Sequence, residues 1–483
     1  MRFIGNAPVD GEVRAIASGA LATGDTVIVN SDGTVSAAAA VGISEAVGTP
    51  TAFGSGSGFY NALAFDSNSN RMVIAYRDNS NSNYGTAVVA TVNSNNTLTL
   101  GTPVTFISSH TQNVAAVFDS SNNKIVICFK DSGSSSHGKA IVGTVDPTDN
   151  SIAFGSVATY RAAGTGGSAP VFDTTSNKII IPYILGSSSA EAIVGTVSGT
   201  SISFGATASF NSGTTAFLSA AYDSNNNKTV ICYTDSGVSG NPLNAVVATV
   251  SGTSISFGSE VTVLSTETQY NSAVFDQSSG KVVVSYMDES NSKYGTSRVG
   301  TVSGTSISFG SAVVWEQGES QYISGVYDSV AKQVVLFYND GDDGSKGKVV
   351  SGTVSGTSIS YSSATQFEPD NAQSLGAGYA SSGKSVVFYH DNGTASRSYD
   401  VYQNAYTSTN LTIENFVGFA NSGYADGQSA ALNSTCTVDK NQSGLTAGQT
   451  YYVQTDGTLG TTPADPSVVA GTAISSKSII VKG

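Results

Sequence analysis

Ser272-Ala273-Val274-Phe275-Asp276, a turn, and Lys281-Val282-Val283-Val284-Ser285-Tyr286-Met287-Asp288 make two short apolar runs with a break between them. Runs of this length bounded by Gly, Ser and Asn read as β-strands. The same text returns along the chain. Aligned on the first Asp, its copies stand at Asp66, Asp119, Asp173, Asp223, Asp276 and Asp328, with a degenerate seventh at Ala380. Recurrence at a near-constant interval of about fifty residues marks an array in which one supersecondary unit is repeated.

Each repeat reads as four strands, because period-2 apolar alternation is broken four times by turn residues. The first strand is short and rich in small residues, as in Ala115-Ala116-Val117-Phe118 and Ser324-Gly325-Val326-Tyr327. The second is the Lys-Val-Val-x-x-Tyr-x-Asp run. The third and fourth form a hairpin about Ser303-Gly304-Thr305-Ser306, a turn text found again near Val197, Val250 and Val354. Four strands in about fifty residues, seven times over, predict a seven-bladed β-propeller, whose innermost strands converge where only small side chains fit. Five positions after the Gly of the fourth strand, or after Ser362 in its place, stand Phe53, Phe106, Tyr160, Phe210, Trp315 and Phe367, with Val263 the exception, and these are expected to pack between blades. Residues 48–53 match 101–106 yet precede the first anchor. They are expected to supply the outer strand of the last blade, whose other strands run from about Leu375 to Thr407.

Composition narrows the function. Only 12% of the 483 residues are charged, and 21 Lys+Arg against 35 Asp+Glu leave a net charge of −14. Wrapping nucleic acid or adhering to anionic lipid needs concentrated positive charge, so neither partner is expected. Three cysteines cannot form a disulfide framework, and Cys128 and Cys232 recur at one place in non-adjacent repeats, too far apart to bridge. The start, Met1-Arg2-Phe3-Ile4-Gly5-Asn6-Ala7-Pro8, lacks the apolar stretch of a secretory signal, and no apolar run is long enough to cross a membrane. Synthesis in the cytosol, with no membrane insertion, is expected.

Outside the array, Gly24-Asp25-Thr26-Val27-Ile28-Val29-Asn30-Ser31-Asp32-Gly33-Thr34-Val35 matches Gly448-Gln449-Thr450-Tyr451-Tyr452-Val453-Gln454-Thr455-Asp456-Gly457-Thr458-Leu459 without a gap. Each copy is a strand followed by an Asp-Gly turn. Ring closure would bring the ends of the array together, so both flanks can meet as one small domain. The expected fold is all-β: a seven-bladed β-propeller with four-stranded blades over residues 47–410. It is inserted in a small β-rich end domain formed by both termini, residues 1–46 with 411–483.

The flanks, with Ala22-Thr23-Gly24-Asp25-Thr26-Val27 and Gly444-Leu445-Thr446-Ala447-Gly448-Gln449-Thr450-Tyr451-Tyr452-Val453, resemble modules of tail-fibre and head-decoration proteins of tailed bacteriophages. The array text, Phe-Asp-x-x-x-x-Lys-Val-Val through Gly-Thr-Val-Ser-Gly-Thr-Ser-Ile-Ser-Phe-Gly, is similar to repeats in structural proteins of marine phages. The resemblance covers nearly the whole chain and rests on turns and strands. It implies a place on the virion surface, other virion proteins as partners and a homo-oligomer on the particle, and it carries no catalytic residues.

Two sets of residues are candidates for binding. The second strand ends in Tyr76/Asp78, Phe129/Asp131, Tyr233/Asp235, Tyr286/Asp288, Tyr338/Asp340 and Tyr389/Asp391, with Tyr183/Leu185 in the third repeat. Residues two apart on a strand share a face, so these Asp would ring one rim. Asp288 and Asp340 could meet sugar hydroxyls or a cation there, or each Asp could accept N–H groups of the loop that follows. Six residues before the anchor stand Tyr60, Phe217, Tyr270 and Tyr322, against Asn113, Gly167 and Ser374 elsewhere; Glu267, Glu316, Glu319 and Glu368 lie in the connections that share that rim. Aromatics beside carboxylates suit stacking on a sugar and bonding its hydroxyls, while rings alone could plug a channel mouth.

Catalysis has little to stand on. His110, His137 and His390 lack metal-ligand spacing, and Arg71, Arg77, Arg161, Arg298 and Arg397 fall at unrelated repeat positions. Asp66-Ser67-Asn68-Ser69-Asn70 and Asp340-Gly341-Asp342-Asp343-Gly344 resemble calcium loops without the later bidentate Glu. The reading is a non-enzymatic host-surface or glycan-binding adhesin with no metal and no cofactor. The alternatives are a capsid decoration protein without a ligand and, more distantly, a polysaccharide-degrading enzyme.

Overall fold

The computed structural model describes residues 12–55, 58–186, 188–380, 383–394 and 396–482. Among these the protein is all-β: antiparallel sheets joined by turns, with one short 3-10 turn, Gly341–Asp343. The chain forms two compact units. The larger is Glu45–Asn404, and the smaller combines the described residues on either side of it.

The fifth repeat shows how the larger unit is built. Thr268–Asp276 pairs with Lys281–Asp288, which pairs with Tyr294–Ser303, which pairs with Ser306–Phe309. Ser303 faces Ser306 across the last turn, and Gly304 has φ 61°, the conformation a two-residue hairpin needs at its first central position. The outer strand is not one segment, as the sequence suggests, but two. It breaks at Gly310 and resumes in Val313–Asp328, which pairs with the third strand and then runs on as the inner strand of the sixth repeat. The break is where the next repeat presses in: a Cβ on Gly310 would lie 1.9 Å from the Thr357 carbonyl oxygen. Such approach leaves room only for glycine.

Inner strands have distinct ends. At the far end, Asp276 Oδ1 accepts the N–H groups of Ser278 and Ser279 at 2.9 and 3.2 Å. Asp66, Asp119, Asp173, Asp223 and Asp328 each accept two loop N–H groups in the same way. The near end is bulged. Gln269 pairs with Met287 and Ser272 with Ser285, so Tyr270 and Asn271 together face Tyr286.

Aromatic side chains bind one repeat to the next. Phe106 of the first outer strand lies 5.2 Å, ring centre to ring centre, from Phe129 of the second repeat, and Trp315 lies 4.8 Å from Tyr338. The last repeat takes its outer strand from the N-terminal side, where Thr51–Ser55 and Ala46–Val47 pair with Ser396–Gln403. Leu63, Met72 and Ile74 of the first repeat share a core with Val386, Phe388 and Val401 of the last. Segments of all seven repeats line one cavity of about 350 Å³.

Residues 405–410, expected in the array, lie in the smaller unit, where Tyr406–Thr409 pairs with Ala40–Ile43. That unit holds two five-stranded sheets of one design. The first runs Val35–Ala37, Thr26–Val29, Phe416–Ala420, Ser429–Asn433, Glu12–Ile16. The second runs Leu459–Gly460, Thr450–Val453, Val468–Ala473, Ile479–Val481, Val438–Asp439. The bulge falls at the same place in both, between Val27/Ile28 and between Tyr451/Tyr452. The Asp-Gly turns match as well: Asp32 Oδ1 accepts from Thr34 N at 3.0 Å, and Asp456 Oδ1 from Thr458 N at 3.0 Å. The duplication seen in twelve residues of sequence is therefore a duplicated module, and residues 40–409 lie within a connection of its first copy.

Candidate functional site

The bulge positions precede the segments that line the cavity. Six of the seven repeats have the bulge, and its first residue has positive φ in each: Tyr60 57°, Asn113 49°, Phe217 45°, Tyr270 50°, Tyr322 50° and Ser374 50°. Asn and Gly adopt this conformation readily, whereas a bulky aromatic residue does so at a cost. Phe217, Tyr270 and Tyr322 stand in three consecutive repeats and their rings meet in series. The centroid separations are 5.2 Å for Phe217 and Tyr270 and 5.1 Å for Tyr270 and Tyr322, with planes tilted by 57° and 50°. All three side chains are half-buried. Tyr60 is apart from this arc and packs under Arg77, whose guanidinium carbon lies 4.9 Å from its ring centre.

Polar groups edge the arc. Glu319 accepts Lys293 Nζ at 2.8 Å and Gln321 Nε2 at 2.7 Å. The Lys293 ammonium holds the Glu319 carboxyl below its ordinary range. Gln269 Nε2 donates to Glu289 Oε1 at 2.8 Å. Burial, Tyr322 and Glu319 together raise the Tyr270 phenol above its usual range, so it stays a neutral donor. Lys293, Glu289, Gln269 and Gln321 were not singled out from the sequence. The recurring Gln-Tyr pair, 269-270 and 321-322, is the signal that marks two of them.

The remaining candidates, Glu267 apart, are committed elsewhere. Glu316 accepts the buried Tyr338 hydroxyl, and Glu368 the Tyr389 hydroxyl at 2.7 Å, so both brace one repeat against the next. Glu267 is exposed, and its main-chain carbonyl accepts Glu289 N at 3.1 Å. Asp288 and Asp340 are buried and close the loops that follow them: Asp288 Oδ1 accepts Ser290 N at 3.1 Å, and Asp340 Oδ1 accepts Asp342 N and Asp343 N at 3.2 Å. Asp340 Oδ2 also accepts Lys348 Nζ at 2.6 Å. Asp78, Asp131, Asp235 and Asp391 bond their loops likewise. Of the two readings of the Tyr-x-Asp ring, the turn-forming one describes the geometry.

No family model matches the chain, and no curated protein matches it. Among solved structures, the chain is similar to the SapL1 lectin in complex with alpha methyl fucoside. The TM-score is 0.40 at 12% identity over 62% of this chain and 95% of that one. It is also similar to the BP39L lectin from Burkholderia pseudomallei, with a TM-score of 0.56 at 10% identity over 75% of this chain and 99% of that one. This second likeness is one of fold.

Proposed function

We propose that this protein is a non-enzymatic carbohydrate-binding protein of a tailed-bacteriophage virion, an adhesin whose repeats close as a seven-bladed β-propeller. The aromatic arc Phe217, Tyr270 and Tyr322, which precedes the segments lining the cavity in three repeats, is its sugar platform. The observation that carries this reading is the arc itself: three rings in series on backbone that disfavours them, edged by carboxylates and carboxamides. Ring faces take the apolar C–H patches of a sugar while the polar edge takes its hydroxyls. Closure is supported by a cavity lined from all seven repeats and by the shared core of the first and last. The fold shared with a lectin agrees with binding and with the absence of catalysis. The virion setting rests on the resemblance of the flanks, and host-surface glycan is the ligand that setting implies.

The test is Tyr270→Ala with Tyr322→Ala in the full chain, read on a glycan array and on isolated bacterial surface polysaccharide. Binding lost with melting unchanged supports the site. Binding retained removes the arc from the reading. Unfolding would assign the rings to filling the mouth and favour a decoration protein without a ligand.

A further inference from the structure

The duplicated module of the smaller unit is joined to its twin by a face that the second copy leaves open. In the first copy, Thr26, Ile28, Phe416 and Phe419 share one face, since Thr26 pairs with Phe419 and Ile28 with Phe416. The second copy covers this face. Ile28 and Phe419 are buried in one cluster with Leu445, Tyr451 and Val453, and Phe416 packs against it. Thr26 Oγ1 donates to the Gly457 carbonyl at 2.7 Å, and Gln442 Nε2 donates to the Gly24 carbonyl at 2.9 Å. The backbones nearly touch: a Cβ on Gly24 would lie 2.6 Å from Asn441 O, and one on Gly457 2.0 Å from Ala38 O.

The same face of the second copy carries Thr450, Tyr452, Val469 and Thr472, by the same pairing, and extends through Ile480 to Val438. It is open. Val469 is 36% exposed, Ile480 38% and Val438 37%, and a Cβ on Gly448, the counterpart of Gly24, meets no described atom within 4 Å. The complementary half of the joint is open on the first copy. The counterparts of the loop and turn with which the second copy docks are residues 18–21 and Asp32-Gly33-Thr34. There Ser18, Gly19, Ala20 and Asp32 are exposed, and a Cβ on Gly33, the counterpart of Gly457, meets no described atom within 4 Å. Among the described residues the pair of modules thus ends in one unused acceptor face and one unused docking edge.

We propose that a second copy of this chain fills that joint. The edge formed by residues 18–21 and 32–34 of one molecule seats on the Tyr452, Val469 and Ile480 face of the next, head to tail, repeating the contact already made inside the chain. Unlike a two-fold contact, a heterologous one of this kind closes a ring or propagates a filament. Apolar side chains exposed together and rimmed by Thr suit such an interface. The inference is independent of the sugar site.

Sedimentation of the full chain over a range of concentrations tests it, with thermal melting as the check on folding. Wild type is expected to self-associate. Val469→Asp with Ile480→Asp should remove every species heavier than the protomer, and so should Ser18→Arg with Ala20→Arg. Mixing the two variants should restore one species of two protomers and nothing larger, because each still supplies one intact half. Wild type that stays monomeric at its highest soluble concentration overturns the proposal. So does a dimer that persists in the Ser18→Arg/Ala20→Arg variant, which would mean a symmetric contact on the face alone. If either double variant melts lower than wild type, the single changes Val469→Asp and Ala20→Arg carry the same mixing test.

Discussion

The two ends of the inner strands obey different rules. Where the strand ends, six of seven repeats carry Asp, and each one bonds the N–H groups of its loop. Where it begins, the seven repeats carry Tyr, Asn, Gly, Phe and Ser, and the six that are not Gly share one left-handed backbone conformation. A position that stays constant on constant backbone serves the repeat. At the bulge, Asn113 satisfies the backbone with little strain, so the aromatic residues at 217, 270 and 322 answer to something other than the fold.

The largest expected effect sets the aromatic bulge positions against the polar ones. Replacing Tyr270 and Tyr322 by Ala should weaken glycan binding about a hundredfold, or about 2.7 kcal/mol. Replacing Asn113 and Ser374 by Ala should leave affinity unchanged. Equal losses from both pairs, measured by titration calorimetry, would break the contrast.

The strand-end Asp should show the opposite pattern. Asp223→Ala removes a buried carboxylate that accepts two loop N–H groups and should cost about 2 kcal/mol of stability in urea unfolding, with affinity intact. An affinity loss on that scale would mean that the two ends are coupled.

Asp400 belongs to neither class, since it occurs once, on the third strand of the last repeat. Its Oδ1 accepts Val401 N at 2.6 Å, and Oδ2 has no partner among the described residues. Burial, with the Glu368 charge a smaller contribution, raises its carboxyl to about 7 from an ordinary 3.8. The unfolded chain therefore loses this proton at lower pH than the folded one. Stability from this group is full below about pH 4, falls as pH rises toward 7, and is flat above. Asp400→Asn should raise the melting temperature at pH 8 by several degrees and flatten its pH dependence between 4 and 7. A variant that melts with the wild-type profile would mean that Asp400 is not the group that titrates.

The smallest effect probes the bulge itself. Asn113→Ala should cost about 1 kcal/mol, because Ala resists positive φ, and Asn113→Gly almost nothing. If Ala is tolerated as well as Gly, the aromatic residues stand there without strain and their placement loses its force.

Much of this was legible from local text. Strand length and the Ser-Gly-Thr-Ser hairpins follow from period-2 alternation and turn chemistry, which act over a few residues, and the supply of the last outer strand from the N-terminal side follows from the match of residues 48–53 to 101–106. The side-by-side placement of Tyr270 and Tyr322 was legible as well, because equivalent positions in adjacent repeats must be neighbours. The bulge was not, since nothing in Gln269-Tyr270-Asn271 announces that two residues will face one. Nor was the fate of the carboxylates. Glu316 and Glu319 look alike in sequence, yet one is taken by Tyr338 of the next repeat and the other meets Lys293 at the rim. That division depends on where a neighbouring strand sets its hydroxyl or ammonium group, a distance of a few ångströms decided by packing between repeats rather than by spacing along the chain. The same holds in the smaller unit. The twelve-residue match shows two like modules, while only their packing decides which copy's face is covered and which is left open.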